Sequence, residues 1–253
     1  MKLSFIIPAY NEENLIGKCL DSILKQAANR PDDIEIIMVN NASTDRTREV
    51  ASSFPGVVVV DESKKGITHA RHAGFLVSSG NLIAFVDADT ILTPGWIDKV
   101  LKAFSGNPNL VALSGPHIFS DLSRAFNLWV RLFYGVAFIS YLLNKFVFRV
   151  GSLLQGGNFV VKRSALEKIG GYNSKFDFYG EESDIARRLH PLGDVKFTFN
   201  LPIYASGRRI AAEGTLTMAW RYGINYFWAI FFKKPFTKTY TDVRLKNGKN
   251  RIS

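Results

Sequence analysis

The chain has 253 residues, 47% of them hydrophobic and 21% charged, a composition that excludes disordered and fibrous proteins. Its formal net charge of +10 favours polyanions, whether nucleotide phosphates, nucleic acid or an anionic membrane face. Cys19 is the only cysteine, which rules out an intrachain disulfide and the small secreted scaffolds that depend on one.

The opening segment, MKLSFIIPAYNEE, turns polar too early for a signal-peptide core, so residues 3–7 read as a first strand and a cytoplasmic setting is expected. Apolar runs at 34–39, 57–60, 82–86 and 110–114 read as further buried strands. Helical spacing occupies the segments near 12–28, 44–53, 66–78 and 94–104. Ser43 and Thr44, Gly66 and Thr68, and Pro94 serve as start signals for the last three. Strand alternating with helix predicts one α/β core with appendages: a Rossmann-like, mostly parallel central sheet with helices on both faces. Ligands of such sheets sit beyond the carboxyl ends of the strands. Asn11 and Glu12, the run NNASTD (40–45), and Asp87 with Asp89 all fall there.

The second half differs. Residues 126–148 and 216–232 are long, aromatic and nearly uncharged. In the first, Asn127, Arg131, Tyr134, Phe138, Tyr141 and Lys145 recur at helical spacing and share one stripe on an otherwise apolar helix. This pattern suits a helix lying in a membrane interface, with a buried core helix as the alternative. A crossing there would separate everything after residue 149 from Asp87 and Asp89. The tail, 233–253, is basic and expected to be partly mobile. The expected division is a nucleotide-sugar-binding half (1–115), an amphipathic segment (116–150), an acceptor and catalytic half (151–212), and an aromatic helix with a basic tail (213–253).

The chemistry concentrates in a few places. Asp87 and Asp89, two carboxylates at i and i+2 after a strand, repel one another unless a divalent cation such as Mg²⁺ or Mn²⁺ sits between them and recruits a diphosphate. A solvated strand-end turn is the plainer reading. Glu181, Glu182 and Asp184 open a helix, where acids also complement the helix dipole. Gly156 and Gly157 permit close backbone approach. His69, His72, His117 and His190 are scattered and read as structural or surface residues.

Five stretches taken together, SFIIPAYNEE (4–13), VNNASTDRT (39–47), KGITHARHAGF (65–75), LIAFVDADTILTPGW (82–96) and GGNFVVKRSALEKIGGYNSKF with GEESDIARRL (within 156–189), resemble the family 2 glycosyltransferases. These are inverting, nucleotide-sugar-dependent enzymes of the A-type fold. The resemblance covers residues 3 to 209. It implies that Pro8, Tyr10 and Glu12 line the nucleotide pocket, that Asn41 stands at the base-recognising position and that Arg71 lies beneath the nucleotide. Asp87 would face ribose and metal, and Asp89 would be the principal metal ligand. Glu182 is implied as general base; the family counterpart is usually aspartate, so Glu181 and Asp184 remain alternatives. Gly157, Asn158 and Trp96 are placed on the acceptor side. Arg208 and Arg209 stand where many members carry a metal-binding histidine, and two arginines can hold a diphosphate.

The implied activity is hexosyl transfer with inversion from a UDP- or GDP-sugar to an acceptor hydroxyl, on a membrane-associated, lipid-linked saccharide of envelope polysaccharide or glycolipid synthesis. The enzyme would sit peripherally on the inner face of the cell membrane. A polyprenyl-phosphate glycosyltransferase, a nucleotidyltransferase and an inactive binding relative are the alternatives. No nucleic-acid-binding motif supports the charge-based reading.

Overall fold

The computed structural model describes residues 1–142, 153–173, 176, 179–237 and 242–243. β1 (Leu3–Ala9), β2 (Ile34–Asn40), β3 (Val57–Asp61) and β4 (Leu82–Val86) lie parallel in the order β3-β2-β1-β4. Successive side chains of β1 enter different cores. Leu3, Phe5 and Ile7 pack with Ile16, Leu20 and Ile23 of α1 (Ile16–Ala27) and with Trp96, Val100 and Phe104 of α4 (Trp96–Gly106). On the opposite face Ile6 packs with Ala70 and Phe75 of α3 (Ile67–Val77). Both faces are covered, so the strand has few polar positions and reads as a continuous apolar run.

The sheet continues through β8 (Asn158–Lys162), which is antiparallel to β4 and to β6 (Leu110–Ser114), and ends with β9 (Asp194–Phe197) parallel to β6. Val86 pairs with Asn158. The antiparallel strand therefore begins where β4 ends, and the glycines before it arrive beside Asp87. α6 (Arg163–Lys168) follows β8, and α7 (Glu181–Leu189) buries Ile185, Ala186 and Leu189 in the second core.

A three-stranded sheet, ordered β5-β10-β7, is built from β5 (Thr90–Leu92), β10 (Ile203–Ala205) and β7 (His117–Phe119). Thr90 pairs with Ala205. That register draws the start of α8 (Arg208–Glu213) towards Asp89, just ahead of β5.

The helix expected near 44–53 is α2 (Thr47–Ser52). Its start signal is Asp45, whose Oδ1 accepts the Thr47 N–H at 2.9 Å. Ser43 Oγ and the Thr44 N–H instead bond to Asn11. α5 (Arg124–Leu142) and α9 (Thr215–Phe232) occupy the two aromatic stretches. Residues 143–148 of the first, including Lys145, lie outside the described residues, as do 238–241 and 244–253 of the tail. Among the described residues no helix is long and apolar enough to cross a membrane.

Candidate active site

Arg71, on α3, is wholly buried and joins two strand and helix ends. Its Nη2 donates to Asp87 Oδ1 at 3.2 Å, and its Nη1 lies 3.1 Å from Glu182 Oε1 and 3.4 Å from Glu181 Oε1. Burial works against the guanidinium charge, but Tyr172 and the surrounding carboxylates outweigh it and raise the pKa. Glu181 moves the other way from an ordinary carboxylate. Burial lifts its pKa well above 4.5, the Glu182 charge adds to the rise, and Arg71 opposes it. Glu181 therefore holds its proton more tightly than an ordinary carboxylate does.

Asp184 stands apart. It accepts from Arg187 Nη2 and Arg188 Nε, both at 2.7 Å, and its side chain is 1% exposed. Arg188 in turn donates to the carbonyls of Ile169 and Gly171. The side chains of Glu181 and Glu182 are 4% and 16% exposed. Of the three acids that open α7, Glu182 alone combines contact with Arg71 and access to solvent.

The two glycines before β8 close this cluster from the sheet side. A Cβ on Gly156 would lie 2.2 Å from Glu182 Oε1, and one on Gly157 would lie 2.2 Å from Asp87 Oδ2. Gly157 also has φ of +70°, a conformation costly for other residues. The His117 ring bonds to the Gly156 backbone, and burial lowers its pKa to about 4, so the imidazole is neutral. Tyr172 packs edge-on to Phe85 at 5.3 Å, and burial raises its phenol pKa. His117 Nε2, Tyr172 Oη and Glu181 Oε2 are buried without a hydrogen-bond partner among the described residues, which is unusual for buried polar atoms away from a functional site. From the sequence His117 was expected to be a structural or surface residue and Tyr172 was not named, yet both line this site. Tyr172 follows Gly170 and Gly171 in one of the resembling stretches, the signal that could have found it.

On the other side of Asp87, Arg208 Nη2 bonds to Glu12 Oε1 and lies 3.1 Å from Asp89 Oδ2. Burial opposes its charge too, but the Glu12 hydrogen bond and the Asp89 charge raise its pKa. Arg209 diverges from it and pairs with Glu213 at 3.0 Å, which also receives Arg221. The paired arginines therefore serve different places, Arg208 at Glu12 and Asp89 and Arg209 at Glu213.

Further along the strand tips, the Asn41 amide braces the loop between β3 and α3. Its Oδ1 accepts the Gly66 N–H at 2.8 Å, while Nδ2 donates to the carbonyls of Glu62 and Lys64. Lys65 Nζ lies 3.9 Å above the Tyr10 ring. Pro8 is half-buried in β1, opposite Val39. Trp96 and Asn158, expected to touch the acceptor, are instead 0% exposed. Trp96 Nε1 donates to Asn158 Oδ1 at 3.2 Å, and Asn158 Nδ2 donates to the Leu201 carbonyl. They anchor the start of β8, and Gly157 alone of the three reaches the cluster.

The donor set suits a hard cation. Magnesium is commonly held by one or two carboxylates together with substrate phosphates. Asp87 and Asp89, with side chains 33% and 20% exposed, supply that kind of oxygen ligand. Among the described residues no group of three or more His, Cys, Asp or Glu is placed to hold a metal.

The chain is similar to known glycosyltransferases. Glycosyltransferase GlyA of Streptococcus pneumoniae is 24% identical over 232 residues, covering 87% of this chain and 32% of that protein. The chain spans about a third of the length of the curated relatives it matches. The fold is shared with a mannosyltransferase from Pyrobaculum calidifontis in complex with GDP-Man and Mn²⁺ (TM-score 0.69, 23% identity, 92% of this chain and 63% of that one). It is also shared with glucosyl-3-phosphoglycerate synthase from Mycobacterium tuberculosis in complex with Mn²⁺ and UDP-glucose (TM-score 0.65, 20% identity, 95% and 83%). A family model described as glycosyl transferase family 2 matches residues 4–170, two-thirds of the sequence, and the chain belongs to that family.

Proposed function

We propose that this site transfers a hexose from a UDP- or GDP-sugar to an acceptor hydroxyl with inversion, and that Glu182 is the base. The observation that carries this reading is the placement of Glu182. Its carboxylate is partly open to solvent, shares the Arg71 guanidinium with Asp87, and lies against the Gly156 backbone. A base and the strand-end aspartates are thereby fixed around one small space. Preorganisation of this kind removes the need to order charged groups during reaction.

The step balances as a single displacement. The acceptor oxygen bonds to the anomeric carbon, the bond from that carbon to the diphosphate oxygen breaks, and the acceptor proton passes to Glu182. The leaving group is a nucleoside diphosphate. Asp87 and Asp89 would hold Mg²⁺ or Mn²⁺, which when bound neutralises charge on the diphosphate. Arg208 is a second positive group on the same side, able to exchange Asp89 for a phosphate oxygen. Tyr10, Lys65 and the loop braced by Asn41 form the base side of the pocket. The structures of the same fold in complex with GDP-Man and Mn²⁺ and with UDP-glucose and Mn²⁺ support the donor class and the cation.

The acceptor is read as a membrane-associated, lipid-linked saccharide of envelope polysaccharide or glycolipid synthesis, presented at the inner face of the membrane. The exposed aromatic and aliphatic faces of α5 and α9 support this. The test is product analysis with UDP- and GDP-hexoses, Mn²⁺ and a lipid-linked saccharide acceptor. Release of nucleoside diphosphate together with an inverted glycoside is expected. Release of inorganic pyrophosphate would identify a nucleotidyltransferase, and no turnover with any donor would identify a binding relative.

A further inference from the structure

α5 is turned inside out with respect to water. Asn127, Tyr134 and Tyr141 of its stripe face the protein, whereas Arg131 is exposed at the stripe's edge. Asn127 exchanges two hydrogen bonds with the Phe119 backbone, Tyr134 donates to Gln155 Oε1 at 3.0 Å and accepts from the His117 N–H, and Tyr141 donates to the Val195 carbonyl. The opposite face carries Trp129, Leu132, Val136 and Ile139, which are 70%, 56%, 65% and 60% exposed. Steps of three and four residues place them on one ridge. A water-facing helix ordinarily has the reverse arrangement, and a contiguous apolar ridge of this kind marks an interaction surface.

Charge identifies what covers it. None of the 22 acidic residues lies between residues 122 and 166, a span that holds Arg124, Arg131, Lys145, Arg149, Lys162 and Arg163. Arg124 and Arg131 are exposed on the helix itself. A second copy packed along the same ridge would bring arginine towards arginine, with no acid on either helix to pair with them. A flat surface that is apolar beneath and anionic at its rim matches both properties at once. We infer that α5 lies in the headgroup interface of an anionic bilayer, with its aliphatic ridge immersed and Arg124 and Arg131 at the phosphates. α9 repeats the composition: residues 214–241 contain no acid, and Leu216 and Trp220 are 87% and 69% exposed.

The inner face of the same helix supports the site. Tyr134 bonds to Gln155, the residue before Gly156, and to the backbone of His117, whose ring bonds to Gly156. The element seated on lipid is therefore two hydrogen bonds from the glycine wall that meets Glu182 and Asp87. This arrangement delivers an acceptor from the lipid phase to that wall. The delivery rests on the sugar-transfer reading, whereas the bilayer seat does not.

The test is co-sedimentation of the full chain with vesicles of phosphatidylglycerol and phosphatidylcholine, against vesicles of phosphatidylcholine alone. Binding should favour the anionic vesicles and weaken with salt. Val136→Glu should reduce it roughly tenfold or more, and Arg124→Ala with Arg131→Ala should remove most of the anionic preference. Each of these side chains projects from the surface, and an unchanged circular dichroism spectrum and melting temperature would verify folding. Donor-induced thermal stabilisation should be the same in Val136→Glu as in the wild type. Absence of vesicle binding, equal binding by Val136→Glu, or a dimer that Val136→Glu dissociates without any vesicle binding would each overturn the proposal. Vesicle binding without transfer to any lipid-linked acceptor would keep the seat and remove the acceptor reading.

Discussion

Gly156 lies so close to Glu182 that a Cβ on the glycine would sit 2.2 Å from Oε1 of the carboxylate. The obstacle is a side chain rather than backbone, so Gly156→Ala should fold and displace Glu182. Displacement of a reacting group by about 1 Å lowers turnover about 100-fold. Turnover should fall by that order while the melting temperature and donor affinity change little. Gly106→Ala, where a Cβ meets nothing within 4 Å, is the matched control. Equal turnover in the two variants would place the reacting base elsewhere.

Glu182→Gln separates two kinds of acceptor. A hydroxyl must lose its proton as it attacks, so removing the base should reduce turnover by about 100- to 10,000-fold. A phosphate acceptor arrives already ionised and does not need the base. Retained turnover in Glu182→Gln would therefore mean a polyprenyl phosphate. Asp184→Asn should act differently, because Asp184 is tied to Arg187 and Arg188 away from Arg71. Its main effect should be a lower melting temperature.

The parallel half of the fold was legible because β1, β2 and β4 are covered on both faces, which forces apolar residues at successive positions. The Asp87 and Asp89 pair was legible for the same reason: charge at the end of an apolar run. What stayed hidden depends on partners distant in sequence. The antiparallel direction of β8 follows from its pairing with β4 and β6, and no local pattern encodes strand direction. Arg208 and Arg209 are neighbours whose side chains part by a fraction of a helical turn, so chain position could not assign one to Asp89 and the other to Glu213. The isolation of Asp184 was readable in principle, since arginines at i+3 and i+4 are its natural helical partners. The α5 stripe was visible as a period, but only Phe119, Gln155 and Val195 show that its polar side faces inward.

Glu181 makes stability depend on pH. Its carboxyl keeps a proton in the folded chain at pH values where the unfolded chain, near 4.5, has lost it. The folded state therefore binds more protons, and this contribution to stability is complete below 4.5 and is lost as pH rises through the raised folded value. Glu181→Gln has no such proton to lose. The melting temperature of the wild type relative to the variant should fall as pH rises above 4.5 and through the raised folded value. Parallel curves would mean that Arg71 holds Glu181 ionised after all.

Asp89 is contested between Arg208, 3.1 Å away, and the cation proposed for the site. A charge-assisted hydrogen bond of this kind contributes about 1.5–3 kcal/mol, roughly a tenfold change in affinity or more. Arg208→Ala should therefore strengthen Mn²⁺ binding in the absence of nucleotide by about tenfold, because the Arg208 guanidinium no longer competes for Asp89. The same variant should weaken nucleoside diphosphate binding, because the positive group on that side of the diphosphate is gone. Opposite signs for metal and nucleotide distinguish this arrangement from general loss of structure, which would weaken both. Asp89→Asn should abolish the Mn²⁺-dependent part of thermal stabilisation by the donor. Electron paramagnetic resonance of free Mn²⁺ measures the first effect and melting curves the other two. If Mn²⁺ affinity is the same in the wild type and in Arg208→Ala, Asp89 is not the ligand for which the two charges compete.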